Sequence, residues 1–139
     1  MLIVEHTLET TATPAQIWKV WEDVEHWNSW DHGLEFSTLD GPFQTGTLGK
    51  LKPKGGPVLR TQLTHVTPME SFIDEAKLPG TKITMLHAIK TSGEKTYVTQ
   101  RVEMRGIFCW FFAFFIGRDI KKNLSKEMES MLKKAKSLS

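Results

Sequence analysis

Three histidines and one glutamine stand where the chain alternates between apolar and polar residues. His6, His65, His87 and Gln100 each have an apolar residue two positions away. Side chains two positions apart on a strand point to the same side, so these groups are predicted to share an apolar inner face. An imidazole ionises near neutral pH and can serve a bound molecule as acid, base or hydrogen-bond partner. The alternative is that each histidine is a hydrogen-bonded interior residue without a ligand.

Other kinds of chemistry have less support in the sequence. The three histidines come from separate segments and match no zinc spacing, so neither a metal nor a cofactor is expected. Cys109 lies among aromatic residues without a basic neighbour, which predicts an inert thiol. No carboxylate is expected on the inner face, and Asp31 and His32 are adjacent, which argues against their acting as a pair. The glycine-rich turn at 54–57 lacks the Lys-Ser/Thr and the helix of a phosphate loop.

The longest regular pattern in the chain lies near its C-terminus and predicts a long helix. Apolar residues recur there every three or four positions, while charged residues and serines occupy the other side. Gly117 separates this helix from an aromatic run at 107–116, and we interpret it as a joint. The predicted apolar stripe consists of Phe112, Ile116, Ile120, Leu124, Met128, Met131, Ala135 and Leu138.

The remaining sequence predicts strands and two short helices. Residues 2–11 alternate in polarity and predict a first strand. Thr13 and Pro14, a good cap and a good first helical residue, begin a short helix, and residues 26–33 carry the chain into a second short turn. Turn residues then separate six further strands, which implies an antiparallel meander. These strands are predicted at 34–39, 46–52, 58–67, 70–78, 81–91 and 96–105.

Length, charge and apolar content limit the classes of protein. The 139 residues fit one domain, 1–139, and the order β-α-α-β-β-β-β-β-β-α predicts an α+β fold in which the final helix covers the sheet. A net charge of +2 gives little support for nucleic-acid binding, so no nucleic acid is expected. The longest apolar run has ten residues, against about twenty for a membrane span. One cysteine and no secretory pattern at the N-terminus make the cytoplasm the expected compartment.

Several residues along this pattern resemble a known superfamily. They are the segment 13–18 (TPAQIW), Trp27, Trp30, Pro79, Gly80, His87, Gly93 and Gly106. Together with the closing helix they resemble START-like proteins, the birch-pollen-allergen superfamily (SRPBCC), and especially its polyketide cyclase/dehydrase and lipid-transport branch. The resemblance implies a helix-grip fold, in which a curved seven-stranded antiparallel sheet wraps around the long C-terminal helix with a hydrophobic cavity between them. Members bind sterols, lipids, polyketides or hormones, and some catalyse cyclisation.

Strand alternation placed on this fold gives a candidate ligand-binding face. An apolar wall with a few polar groups is the usual construction of a small-molecule site. Trp27 and Trp30 have two interpretations, since they either line the cavity mouth or anchor the short helices to the sheet. No catalytic residue is assigned. The candidate ligand-binding residues are His6, Trp27, Trp30, Leu63, His65, Met85, His87, Gln100, Met104, Phe112, Ile116 and Ile120.

The aromatic run at 107–116 holds more apolar surface than one helical face can bury. Six of its ten residues are aromatic, so at least one of Trp110, Phe111 and Phe114 is expected to be substantially exposed. A membrane surface or a protein partner is a possible contact, with the basic residues from Arg118 onward able to meet anionic head groups. The residues proposed for that contact are Phe108, Trp110, Phe111 and Phe114.

Three functions are compatible with these observations. The first is binding of a small hydrophobic molecule in a cavity between the sheet and the C-terminal helix. The second is a cyclase or dehydratase-like enzyme on a polyketide-like substrate, with His65 or His87 as acid or base. The third is a protein-interaction module similar to the related chaperone activators. The sequence indicates neither the ligand nor the oligomeric state.

Overall fold

The computed structural model describes residues 1–138, and Ser139 lies outside the described residues. Seven antiparallel strands form one sheet in the order β1-β7-β6-β5-β4-β3-β2, which confirms the predicted helix-grip fold. The strands are β1 (Leu2–Thr10), β2 (Leu34–Leu39), β3 (Leu48–Pro53), β4 (Leu59–Thr67), β5 (Ser71–Leu78), β6 (Thr81–Ser92) and β7 (Lys95–Gly106). The helices are α1 (Pro14–Glu22), a 3₁₀ helix (Val24–Ser29), α2 (Cys109–Phe115) and α3 (Gly117–Lys136).

The first helix begins where the sequence predicts it. The Thr13 hydroxyl accepts a hydrogen bond from the Gln16 backbone N–H at 3.1 Å. The Thr13 N–H in turn donates to the Gln16 side chain at 2.9 Å, which completes a capping box. Trp18 and Trp21 on the inner side of α1 are buried. A well-capped start and an apolar inner side therefore fix α1 over the sheet.

The long helix α3 buries the C-terminal part of its predicted stripe. Leu124 and Met128 are buried, as is Leu132, which the stripe did not include. The helix packs against α1 and β1. Gly117 is its first residue. A Cβ atom at this position would lie 3.3 Å from the Ile3 Cγ2 atom, so a larger residue here would press against Ile3. The interpretation of Gly117 as a joint is confirmed, and the aromatic run before it forms the separate helix α2.

One prediction of strand geometry is wrong, at His65. The pairing of β4 with β5 shifts between Leu63 and His65, so Thr64 is an extra residue in β4. An extra residue in one strand reverses the alternation of side chains beyond it. Leu63 is buried and His65 is exposed, where its Nε2 atom lies 2.9 Å from the Thr67 hydroxyl. His65 therefore does not share the inner face with Leu63.

The interior is divided into two apolar clusters. We call the first the aromatic core. It lies under α1, the 3₁₀ helix and the C-terminal part of α3, and its rings belong to Trp18, Trp21, Trp27, Trp30, Phe43 and Phe72. We call the second the aliphatic cluster. It lies under α2 and the beginning of α3, and its members include Ala76, Ile83, Met85, Val102, Met104, Phe112, Ile116 and Ile120.

Candidate functional site

A row of polar side chains crosses the inner face of the sheet. His6 on β1 lies opposite Gln100 on β7, Gln100 lies opposite His87 on β6, and His87 lies opposite Phe72 on β5. Neighbouring side chains on one face of adjacent strands are close enough to interact. Gln100 is buried, while His6 and His87 are half-buried. Three of the polar residues named as candidates from the sequence are thus brought together, and we call them the polar row.

His87 has a carboxylate partner that the sequence analysis did not anticipate. The His87 Nε2 atom lies 3.0 Å from the Asp74 Oδ1 atom, and the Asp74 side chain is only 5 % exposed. The expectation that no carboxylate shares the inner face is therefore wrong. The signal was present in β5, where Phe72, Ala76 and Leu78 alternate on the buried side and place Asp74 among them.

Aromatic rings hold the His87 imidazole in place. It stacks on Phe72 with ring centroids 4.0 Å apart and planes 7° apart. Trp21 meets the same imidazole at 5.7 Å in an edge arrangement. With Nε2 directed to Asp74, the Nδ1 atom of His87 is buried and has no hydrogen-bond partner among residues 1–138, and the same is true of the His6 Nε2 atom. A buried nitrogen without a partner is costly, so these atoms are candidate positions for contact with a bound molecule.

The other candidate residues divide between the two clusters. Trp27 and Trp30 are buried in the aromatic core, and the indole N–H of Trp27 donates to the Trp21 carbonyl at 2.9 Å. This contact favours the interpretation that the tryptophans anchor the short helices. Leu63 and Met104 are buried as well. The four candidates that face the interior yet stay half-buried are Met85, Phe112, Ile116 and Ile120.

An interior crevice beside the polar row is too small for a ligand. A crevice of about 10 Å³ lies between the 3₁₀ helix and strands β2 to β5, where Trp27, Leu63 and Asp74 contribute to its wall. That volume is enough for about one water molecule. A larger depression of about 510 Å³ lies on the surface of α2 and α3 and is open to solvent. Asp74 is thus reached from the crevice, which is far too small to be the implied hydrophobic cavity.

A pair of carboxyl groups, Asp31 and Glu127, links the loop after the 3₁₀ helix to α3. Burial raises the pKa of Glu127 from its ordinary value of 4.5 to about 8, and the charge and hydrogen bond of Asp31 act in the same direction. Burial also raises the pKa of Asp31, against the opposing effects of its hydrogen bonds with Glu127 and Gly33 and of the positive charges of His32 and Lys54. The two carboxyl groups therefore keep a shared proton to higher pH than an isolated carboxyl group would, and the protonated one donates to the other. Local sequence patterns do not reveal this pair, because its members are distant in the chain.

Three or more metal-ligating side chains do not gather anywhere in residues 1–138. The polar row and Asp74 offer hydrogen-bonding groups on the inner face of the sheet.

Comparison with protein families gives a match across most of the chain. Residues 1–136 match the family described as polyketide cyclase / dehydrase and lipid transport. The comparison with curated proteins gives no match.

Solved structures of low sequence identity share the fold. A protein from Thermus thermophilus has 12% identity and a TM-score of 0.72, with 98% of each chain covered. Norcoclaurine synthase from Thalictrum flavum, solved with dopamine and hydroxybenzaldehyde, has 14% identity and a TM-score of 0.73, and the alignment covers 98% of this chain and 87% of that one. The di-domain ARO/CYC protein StfQ of the steffimycin pathway has 12% identity and a TM-score of 0.73 over 99% of this chain and 50% of its own.

Proposed function

The chain belongs to the polyketide cyclase / dehydrase and lipid transport family, and on that premise we propose that it binds a small hydrophobic molecule carrying a hydrogen-bonding group. The observation that carries this proposal is the polar row. Two of its nitrogens, His6 Nε2 and His87 Nδ1, are buried without a partner among residues 1–138. A hydroxyl or carbonyl group of the ligand would supply the missing hydrogen bond, since a neutral imidazole nitrogen either donates or accepts.

The apolar part of the ligand would lie against the aliphatic cluster. Met85 stands two residues before His87 on the same face of β6, so the cluster adjoins the polar row. Met85, Ile116 and Ile120 face inward and still keep accessible surface. Burying this surface against a ligand is favourable by roughly 25 cal/mol per Å².

Access to this site requires a movement of α2. Each of the seven residues of α2 is described, and none of them is buried. Phe108, at the position before the helix, has a hydrocarbon side chain that cannot cap the helix. Few buried contacts mean a low cost of local opening. Displacing α2 and the beginning of α3 would therefore expose the aliphatic cluster while the aromatic core stays packed.

The two histidines that the sequence analysis placed on one face provide a matched test. We expect His87→Gln to weaken binding of a hydrophobic fluorophore such as anilinonaphthalenesulfonate by about tenfold, the effect of one lost hydrogen bond of about 1.4 kcal/mol. His65→Gln, on the outer side of the sheet, is the control and should leave the affinity unchanged. Fluorescence titration measures both, and thermal melts check that each variant folds.

Fluorophore binding to exposed apolar surface elsewhere would not depend on His87, so the pair of variants separates the two sources of signal. Equal affinities of the two variants would contradict the proposed site. Native mass spectrometry of protein purified from its own organism provides an independent test, since a retained small molecule would identify the ligand class.

A second candidate function is acid–base catalysis on the bound molecule, and the Asp74–His87 pair favours it. A carboxylate 3.0 Å from an imidazole accepts a hydrogen bond from the ring and fixes its orientation. Two of the similar structures, norcoclaurine synthase and the di-domain ARO/CYC protein, carry the names of enzymes. Their sequence identity to this chain is low, so they support a shared fold and not a shared reaction. His65, the other acid or base considered from the sequence, lies on the outer side and loses its support.

Asp74→Asn tests this second candidate. It keeps the size of the side chain and removes its charge. If the pair is catalytic, the turnover of a polyketide-like substrate should fall by about 100-fold to 10,000-fold while substrate binding changes little. Wild-type protein that binds such a substrate without converting it would restrict the function to binding.

A further inference from the structure

The outer side of α2 is an exposed apolar surface. Side chains here are between 50% and 82% exposed, although all of them are large and apolar. Contiguous patches of this kind on soluble proteins mark interaction sites. We call it the α2 patch, and it consists of Ile107, Phe108, Trp110, Phe111, Phe114 and Phe115.

Both sides of α2 are apolar, which is unusual for a helix on a protein surface. Phe112 and Ile116 face the aliphatic cluster and are half-buried, and Phe111 and Phe114 face outward. The run 107–116 contains no charged residue. A surface helix normally directs charged or polar residues to water. The outer side of α2 therefore has the composition of a surface that is covered by something apolar.

Basic residues follow the α2 patch directly. Arg118, Lys121 and Lys122 are exposed and continue the spacing of three and four residues that Phe111 and Phe114 begin. The Arg118 guanidinium lies over the Phe114 ring at 5.4 Å from its centroid. Residues 105–122 hold four basic residues and one acidic residue, a net charge of +3, whereas the whole chain carries +2. A local excess of positive charge thus borders the apolar patch.

The open depression on the surface has the same mixed character. Phe114 and Phe115 supply apolar surface to it, and Arg118 and Lys122 supply positive charge, with Asp119 as its acidic member. A lipid presents a matching combination, because its acyl chain is apolar and its phosphate is anionic.

We propose that the α2 patch docks on the surface of an anionic lipid bilayer. In this arrangement α2 lies in the plane of the interface with its phenylalanines and Trp110 among the head groups and upper acyl chains. Arg118, Lys121 and Lys122 contact the lipid phosphates, as basic residues beside an apolar face commonly do. Within residues 1–138, no helix has the length and apolar character needed to cross the bilayer, so the contact is peripheral.

The charge distribution favours a lipid surface over a second copy of the chain. A symmetric dimer through the α2 patch would place the same surface on both sides of the interface. The +3 segment of one copy would then meet the +3 segment of the other, and like charges at close range are unfavourable. An anionic bilayer satisfies both the apolar and the basic part of the surface. This inference does not depend on the proposed ligand site.

Co-sedimentation with vesicles tests the docking. Wild-type protein should sediment with vesicles of phosphatidylcholine and phosphatidylglycerol, and less with phosphatidylcholine alone. The bound fraction with the anionic vesicles should fall as salt is added. The variant Phe111→Ser with Phe114→Ser should lose association with both. Equal sedimentation of the wild type and this variant, or no sedimentation of the wild type, would overturn the proposal.

Two pairs of lysines on α3 provide a matched control for charge. Lys121→Ala with Lys122→Ala removes two exposed charges beside the patch, and Lys133→Ala with Lys136→Ala removes two exposed charges at the far end of the same helix. Only the first pair should lower the affinity for anionic vesicles, by about tenfold or more. An equal loss in both variants would show attraction without a docked orientation and would contradict the proposal.

Trp110 gives a spectroscopic signal for the same contact. The other four tryptophans are buried, and Trp110 is 77% exposed. Adding anionic vesicles should shift the tryptophan emission to shorter wavelength in the wild type and not in Trp110→Phe. Light scattering in solution tests whether a second copy of the chain covers the patch instead. If the wild type is a dimer and the variant Phe111→Ser with Phe114→Ser is a monomer, the patch is a dimer interface and lipid docking is overturned.

Discussion

The short helices of this molecule carry large aromatic side chains under opposite conditions. In α1 and the 3₁₀ helix, Trp18, Trp21 and Trp27 are buried. In α2, Trp110 and Phe111 are exposed. The helices differ in the residues that accompany the aromatic ones. α1 also carries the charged residues Lys19 and Glu22, which can face water, whereas the aromatic run of α2 has no charged residue on its outer side.

This comparison shows that the number of aromatic residues alone does not predict a core. The sheet covers one side of such a helix. The opposite side must either be polar or be covered by a further surface. The expectation that at least one of Trp110, Phe111 and Phe114 is exposed is confirmed for all three. What contacts them stays a proposal.

The largest expected effect is on stability and tests the comparison directly. Trp21 is fully buried, so Trp21→Ala should lower the free energy of unfolding by about 3 to 5 kcal/mol. Trp110→Ala removes the same atoms from an exposed position and should stay within about 0.5 kcal/mol. Urea unfolding measures both. Similar losses would show that α2 is packed as tightly as α1.

The next largest effect concerns the two sides of α3. Leu124 is buried, and Leu124→Ala should cost about 2 to 5 kcal/mol through the cavity that it leaves. Lys126 is exposed on the opposite side, and Lys126→Ala should change the stability by less than about 0.5 kcal/mol. Equal midpoints in urea for these two variants would mean that the helix is rotated from the orientation described.

A smaller effect is expected from pH at the carboxyl pair. The pKa of Glu127 is raised to about 8 in the folded state from an ordinary value of 4.5, which we take for the unfolded state. Between these two pH values the folded chain therefore keeps a proton on Glu127 that the unfolded chain has lost. The stability due to this group is therefore complete below about pH 4.5 and is lost as the pH rises through about 8. Asp31, whose pKa is also raised, contributes with the same sign.

Glu127→Gln isolates that effect. The amide keeps a donor for Asp31 and does not ionise, so the fall in stability toward alkaline pH should shrink by on the order of 1 kcal/mol. Melting temperatures measured across this range compare the variant with the wild type. An unchanged slope would assign the pH dependence to other groups.

The sequence predicted those parts of the molecule that follow from local periodicity. No predicted strand end differs from the observed one by more than two residues, because turn residues and alternation are written into short segments. The helix start at Thr13 and Pro14 is similarly local. The stripe on α3 was correct for Leu124 and Met128, since a helical period is fixed by spacing alone.

The polar site was predicted only in part, for two physical reasons. The extra residue Thr64 displaces His65 to the outer side, and a bulge has no clear sequence signal within an alternating strand. Asp74 meets His87 through the pairing of β5 with β6, and such contacts depend on register. His87 and Gln100 were placed correctly on the inner face, but the carboxylate partner of His87 was not foreseen.

The strand order has a consequence for how the chain is made. β1 lies beside β7, so residues near the start of the chain pair with residues that follow 86 to 101 positions later. A ribosome adding roughly 5 to 20 residues per second needs several seconds to reach β7. Throughout that interval β1 has no strand partner from this sheet, and sheet closure must await the C-terminal third of the chain. Pairing of such distant segments also slows folding, so the nascent chain is most open to chaperones and to aggregation before β7 is made.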